Sequence, residues 1–417
     1  MNQALLVAAI VQFGPHFAKN IAPLKVFFSA DPGWHITATE WGLFQTAVTI
    51  PIALFPWLAG HSVDRNVRVK SMLTAALVIT CVGQAVFTLA CGDHIFKLAL
   101  IGRFIFGIGE GLSSSLSGYV AVSYSPKYRM FAIGLMQALH ALSVGMSKAI
   151  QAPIARYWGD YVAPLFASLF LCGVSLTAAI TWEPERLPRE VEQDTCESPR
   201  TRRLKICCQG PPGKLSSDFW TVAVMHMLIA SSHRLFGHID AAFLGSRFKR
   251  SATEAGYLSA VTELIAVFIS PLLGGLLDIK RDVLTLPVLL LIATICGSVG
   301  YGMLAFSKRG FSLEIGIISI SMVNAITPTV MKSVVPETVH NSVLATALGI
   351  YESSESLGVL VGSVLIGVSA ARSGDDYAAC IPLFAFLMLV AGTLAVTLVI
   401  RRNQKRSRGV ELYMEIS

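Results

Sequence analysis

The chain has 417 residues, of which 53% are hydrophobic and only 14% charged, with a mean hydropathy of +0.62. A soluble domain cannot hide that much apolar surface, so the composition excludes a soluble protein and places the chain in lipid. The formal net charge of +7 follows from membrane topology, as shown below, and requires no nucleic acid.

A bilayer core about 30 Å thick takes roughly 20 apolar residues per helical span. Stretches of that length recur near 2–28, 38–60, 70–91, 96–122, 129–155, 162–182, 218–245, 252–275, 283–306, 312–333, 343–369 and 376–400. The fold class expected is therefore all-α and integral to the membrane, with twelve transmembrane helices. The first span has no basic leader or small-residue cleavage site, and Pro15, His16, Lys19 and Asn20 interrupt it. It reads as a retained span and not a signal peptide, and the lack of a tail ahead of it suggests a truncated start.

The longest polar break, Glu183 to Asp218, is rich in Pro, Arg and Glu and divides the spans six and six. It reads as a loop or disordered linker. The expected organisation is a six-helix bundle over 1–182, a linker over 183–217, a second bundle over 218–400 and a cytosolic tail over 401–417. With the N-terminus in the cytosol, loops and tail on that side carry about 19 Lys and Arg against about 8 on the other, which orients the chain by the positive-inside rule. The run Arg401 to Arg408 is available to anionic lipid headgroups.

The two halves repeat each other at an offset of 214: Ala38-Thr-Glu-x-Gly42 recurs as Ala252-Thr-Glu-x-Gly256, Gly60 as Gly274, and Asp64 as Asp278. Two six-helix repeats with substrate bound between them at the midplane is a transporter plan. The segment Gly60 to Lys70 places a small residue where helices approach closely, an acid four residues on, and then Arg65 and Arg68. Such an acid suits a latch that caps a neighbouring helix end in one conformation and releases it in another.

Counting from span ends puts His16, Glu110, His140, His233, Arg234, Glu352 and Glu355 near mid-membrane, and Asn324 joins them as a polar candidate in span ten. Ionisable groups at that depth cost a few kcal/mol and face a bundle interior or wet cavity. Drawn from both halves, they read as the lining of a central site, and cation plus anions match the ends of a zwitterion. Each histidine alone also fits a hydrogen-bonded packing role. Arg103 also fits a structural ion pair, and Lys332 a gate or snorkelling residue. The same histidines and glutamates could carry protons, which leaves uniport and proton coupling both open.

The glycine cluster in "RFIFGIGEG", Arg103 to Gly111, follows no strand, so it is no nucleotide fingerprint. Its glycines suit close helix contact. No P-loop, CxxC or Cys/His ligand spacing occurs, and no cofactor, metal or enzymatic activity is expected. Of the eight cysteines, Cys81, Cys91, Cys172, Cys296 and Cys380 read as buried thiols in or beside the spans, and the loop pair Cys207 and Cys208 reads as a plain loop pair or a palmitoylation site.

Gly60-x-x-x-Asp64-Arg65-x-x-Arg68 resembles the loop signature of the major facilitator superfamily, and Arg103 with its glycines resembles that superfamily's fourth-helix motif. Val82 to Gly109, "FGPHFAKNIAPL", "SPLLGGLLD" and "VVPETVHNSVLATALGIYESSESLG" are similar to the family of major facilitator superfamily domain-containing protein 1, a lysosomal dipeptide carrier. The resemblance implies passage of short peptides or amino acids out of an acidic compartment. An organic anion or sugar carrier of the same fold is the alternative, with a sensor or scaffold further behind. The family's acid after the glycine run stands about one position later than Glu110, and its span-five arginine is replaced here by His140 and Ala141. A peptide's carboxylate therefore needs another cation. Tyr413 to Ile416 fits a Tyr-x-x-apolar sorting signal for endosomes or lysosomes, with the plasma membrane as the alternative. No Asn-x-Ser/Thr sequon occurs, so the glycosylated single-pass subunit on which the family relies is an expected partner, beside the small-molecule substrate and membrane lipid.

Overall fold

The computed structural model describes residues 10–123, 128–182, 214–250, 252–279, 285–306, 310–372 and 377–414. Two expected features, all but the last four residues of the linker over 183–217, with Cys207 and Cys208, and the sorting residue Ile416, lie outside that set. Tyr413 falls in the last turn of the final helix.

Helices account for almost all of the described chain. The first, α1, is broken into Phe13–Lys19, a 3-10 turn at Ala22–Leu24 and Lys25–Ala30. Eleven long helices follow: α2 Ala38–Asp64, α3 Val69–Gly92, α4 Phe96–Ser123, α5 Arg129–Trp158, α6 Val162–Thr181, α7 Ser217–Phe248, α8 Ala252–Ile279, α9 Thr285–Phe306, α10 Gly310–Thr338, α11 Leu344–Arg372 and α12 Ile381–Met414. Local signals set the starts. Thr37 and Glu40 form a capping box at α2, and Ser216 accepts from the Phe219 amide at α7. The end of α5 turns on Gly159, in the left-handed region at φ 68°.

Eight of these helices are long and apolar enough by themselves to cross a membrane. The four others, α1, α4, α7 and α11, carry many of the charged and histidine residues of the interior, to which α5 adds His140 and Lys148, α8 Glu263 and α10 Lys332. α4, α7 and α11 are polar because they face a site and not because they lie outside the bilayer, and α1 falls short because its described helical pieces are seven and six residues long. Large apolar side chains such as Phe104, Phe170, Phe268, Leu272, Val361 and Leu389 are exposed on the outer faces, which fits contact with lipid.

The helix α12 runs on through the basic segment to Met414, where a tail is expected. Arg402 is buried there and donates to Glu337 at the end of α10 at 2.7 Å, while Arg401 lies 3.8 Å from Asp218. These bonds hold the helix past the apolar run.

The halves meet most extensively where α2 packs on α11 and α5 on α8. Glycines make both approaches possible. A Cβ on Gly60 would fall on the Ala345 carbonyl and one on Gly349 on the Pro56 carbonyl; in the mirrored pair, Gly274 meets Met130 and Gly134 meets Ser270. The acids of the repeat complete each junction. Asp64 accepts from the Ala345 and Thr346 amides at 3.3 and 2.8 Å, capping α11. Asp278 accepts from the Met130 and Phe131 amides at 3.1 and 2.8 Å, capping α5. Arg65 and Arg68 are exposed beside them. The end assigned to the cytosol by charge is thus sealed. At the other ends of α2 and α8, the repeat-mates Gly42 and Gly256 have nothing within 4 Å of where a Cβ would stand.

Candidate functional site

The break in α1 exposes carbonyls that need donors. Arg103 on α4 supplies two, from Nη1 to Ala18 at 3.1 Å and from Nη2 to Lys19 at 2.9 Å. Gln151 and Ser147 on α5 donate to Phe17 and Asn20 at 3.2 and 2.8 Å, and Ser143 donates to Phe13. Arg103 is fully buried over the rings of Phe87 and Phe106. It acts through carbonyls and ring faces, where an ion pair is the sequence alternative.

Held this way, α1 presents His16 and Lys19 to α4. Glu110 is 1% exposed, with Oε1 3.2 Å from His16 Nδ1 and 3.6 Å from Lys19 Nζ, and its Oε2 has no hydrogen-bond partner. The glycines around it allow this depth. Gly102 packs on the Phe87 backbone, Gly107 on Val48 and Gly109 on Thr80, each closer than a Cβ permits.

A polar chain then crosses to the other half. The His16 and His140 rings lie 3.9 Å apart. His140 Nε2 is 2.8 Å from Arg234 Nη2. A guanidinium only donates, so His140 accepts at Nε2 and its ring proton sits on Nδ1. Arg234 Nε donates to Glu355 Oε1 at 2.7 Å, and Glu355 Oε2 lies 3.5 Å from His226 Nε2. Below this layer Lys332 Nζ is 2.5 Å from Glu352, which also accepts weakly from Ser114 at 3.4 Å. Lys332 is buried, so it does not snorkel. Glu352 and Glu355, three residues apart, serve two separate cations.

Toward the opposite end a second cluster forms. Lys148 on α5 lies 3.3 Å from Asp240 and 3.5 Å from Glu263, and Glu263 is also 3.5 Å from His233 Nε2 and accepts from Asn324 at 2.8 Å. Ser259 adds a bond to Asp240 at 2.5 Å.

These groups line one divided cavity. The compartment nearer the sealed end is walled by Gln12, Glu110, Ser114, Lys332, Tyr351 and Glu352. The compartment nearer the opposite end is walled by Gln45, Thr49, Lys148, His233, His238 and Glu263. His16, Lys19, His140, Arg234 and Glu355 border both. Of the residues expected from sequence, His16, Glu110, His140, Arg234, Glu352 and Glu355 come together. His233 joins the second compartment beside Glu263, and Asn324 stands behind it in the α7–α10 wall. Sequence reasoning missed Lys19, Lys148, His226, His238, Asp240 and Glu263 as members. Each carries the same signal of an ionisable group inside a span, and a stripe at Ser143, Ser147 and Gln151 also marked the inner face of α5. Among the described residues no cluster of His, Cys, Asp and Glu suits a metal ion.

Two bundles sealed at one end around a buried, charge-lined cavity define a membrane carrier. The model of the Major Facilitator Superfamily matches residues 5–363, and the chain belongs to that family. It is 24% identical over 383 residues to the lysosomal dipeptide transporter MFSD1 of Bos taurus, covering 87% of this chain and 78% of that one. The Homo sapiens protein of the same name is 23% identical over the same shares. A hexuronate transporter of Bacillus subtilis is 30% identical over 148 residues, or 35% of this chain and 33% of that one. Among solved structures, the proton:xylose symporter XylE superposes with a TM-score of 0.74 at 15% identity over 95% of both chains. The human organic anion transporter MFSD10 gives 0.71 at 14% identity over 94% of this chain and 99% of that one. The chain is a multi-pass transporter of small solutes.

Proposed function

We propose that the chain carries short zwitterionic peptides, dipeptides foremost, by rocking its bundles over 1–182 and 218–400 about the central cavity. The observation that supports this reading is the pairing of unused polar capacity across the cavity. Glu110 Oε2 on one half has no partner, and Arg234 on the other keeps donors beyond those given to Glu355 and His140. An ammonium suits the first and a carboxylate the second. Arg234 supplies the cation that His140 and Ala141 do not. Similarity to the MFSD1 relatives supports the substrate class and a lysosomal location, and the Tyr-x-x-apolar pattern of Tyr413 and Ile416 supports a role in sorting. The lack of a sequon supports a glycosylated accessory subunit.

Reconstituted protein should exchange labelled dipeptides in counterflow, against a panel of amino acids and organic acids, with and without a pH gradient. A charge-assisted bond contributes about 1.5–3 kcal/mol. Glu110→Gln and Arg234→Ala should therefore each lower kcat/KM by roughly tenfold to a hundredfold. Unchanged exchange in both variants would refute the site, and no counterflow with any zwitterion would refute the substrate class.

A further inference from the structure

A small recess opens off the cavity between α7 and α10, behind the Arg234–Glu355 pair. Its volume is about 30 Å3, and a buried water needs roughly 10–15 Å3. The space therefore takes two waters or a side chain of two or three heavy atoms. Ile229, Ala230, Val323 and Pro328 form its apolar walls, and His233, Asn324 and Thr327 its polar ones.

Thr327 is 3% exposed and its Oγ1 has no partner. Its neighbours on α10 behave differently. Ser321, Thr329 and Ser333 each turn the hydroxyl back onto the carbonyl four residues earlier, at 2.8, 3.3 and 2.6 Å. Back-bonding is the ordinary resting place of such a hydroxyl in a helix. Thr327 forgoes it and leaves a donor and an acceptor in the wall. His233 Nδ1, in the same wall, is likewise buried and unpartnered. Asn324 is fixed, since its amide donates to Glu263 at 2.8 Å.

We infer that this recess is the subsite for the side chain of the substrate's C-terminal residue, and that Thr327 selects small hydroxyl-bearing side chains there. The inference rests on the dipeptide reading above, because Arg234 at the mouth of the recess places the carboxylate, and hence the C-terminal residue, beside it. Burying a hydroxyl wall against an apolar side chain leaves its hydrogen bonds unmade, so discrimination comes from rejection of the analogue as well as attraction of the hydroxyl.

The test uses the full chain in proteoliposomes and four dipeptides. Ala-Ser and alanyl-2-aminobutyrate differ only by hydroxyl against methyl at the C-terminal side chain; Ser-Ala and 2-aminobutyryl-alanine carry the same change at the other end. The KM for Ala-Ser should be about threefold to tenfold below that of its methyl analogue, the value of one hydrogen bond, while the N-terminal pair should differ little. Thr327→Val should bring the first ratio to about one, and Thr327→Ser should keep it. Equal KM values for Ala-Ser and its analogue, the same ratio for both pairs, or a ratio that survives Thr327→Val would each overturn the subsite while leaving dipeptide transport standing. No counterflow with any of the four would overturn the dipeptide reading and the subsite together.

Discussion

Asp64 and Asp278 each give one carboxylate to two amides at the start of a helix in the opposite half. Removing such a cap costs about 0.5–2 kcal/mol, and the negative charge at a helix N-terminus adds to it. Asp64→Ala should therefore raise the population open at the basic end by roughly threefold or more. A cysteine placed at Ser117, which lines the inner compartment, should label faster with an impermeant maleimide added from that side; an unchanged rate would contradict the latch. Asp31, on the other face, accepts from the Tyr161 hydroxyl at 2.7 Å, the Gly33 amide at 2.8 Å and lies 3.2 Å from His94. The Tyr161 bond foremost holds its carboxyl below the ordinary 3.8, against the opposing effect of burial. Its contribution is then complete above that ordinary value and fades as pH falls below it through the depressed folded value. The difference in Tm between wild type and Asp31→Asn should still be present at about pH 5 and shrink below about pH 4. Intramembrane ionisable residues were legible one by one in the sequence, Glu110 and Arg234 among them. Lys148, Asp240 and Glu263 were passed over because they sit outward of the single mid-membrane layer on which depth counting focused.

The α2–α11 and α5–α8 junctions are built from backbone contact at glycine. The repeat at an offset of 214 displayed Gly60 with Gly274 and Asp64 with Asp278, but not what they touch, since a helix's partners depend on the packing of bundles and not on its own spacing. The structure adds that Gly42 and Gly256, matched by the same repeat, stand in open space at the far ends of α2 and α8. If the halves rock, closure at that end presses these glycines toward the opposing helices. Gly60→Val should obstruct the present seal and speed labelling at Ser117→Cys from the basic side. Gly42→Val should leave the seal intact and slow labelling by hindering the alternate form. Equal and same-signed effects would speak against a rocking pair of bundles. The break in α1 was visible as Pro15, His16, Lys19 and Asn20. Its use was not, because the donors that satisfy it lie on α4 and α5, far along the chain.

Across the whole molecule, polar cost and function coincide. The four helices outside the eight long apolar ones hold His16, Lys19, Glu110, Arg234, Asp240, Glu352 and Glu355, while α5, α8 and α10 among the eight add His140, Lys148, Glu263 and Lys332 from their inner faces. The twelve-helix, two-bundle plan was legible from hydropathy, loop charge and repeat because those are properties of sequence alone. Which charges pair was not, since each pair joins residues from different helices, and often from different halves. The central claim, that the two ends of a short peptide are read by Glu110 and Arg234, is tested most directly by blocking those ends one at a time. Counterflow of Ala-Ala should be compared with N-acetyl-Ala-Ala and Ala-Ala-amide in wild type, Glu110→Gln and Arg234→Ala. Wild type should disfavour both blocked forms about tenfold or more, Glu110→Gln should lose discrimination against the acetylated form only, and Arg234→Ala against the amide only. Free and blocked peptides exchanging equally in wild type, or each variant losing both discriminations alike, would contradict the account.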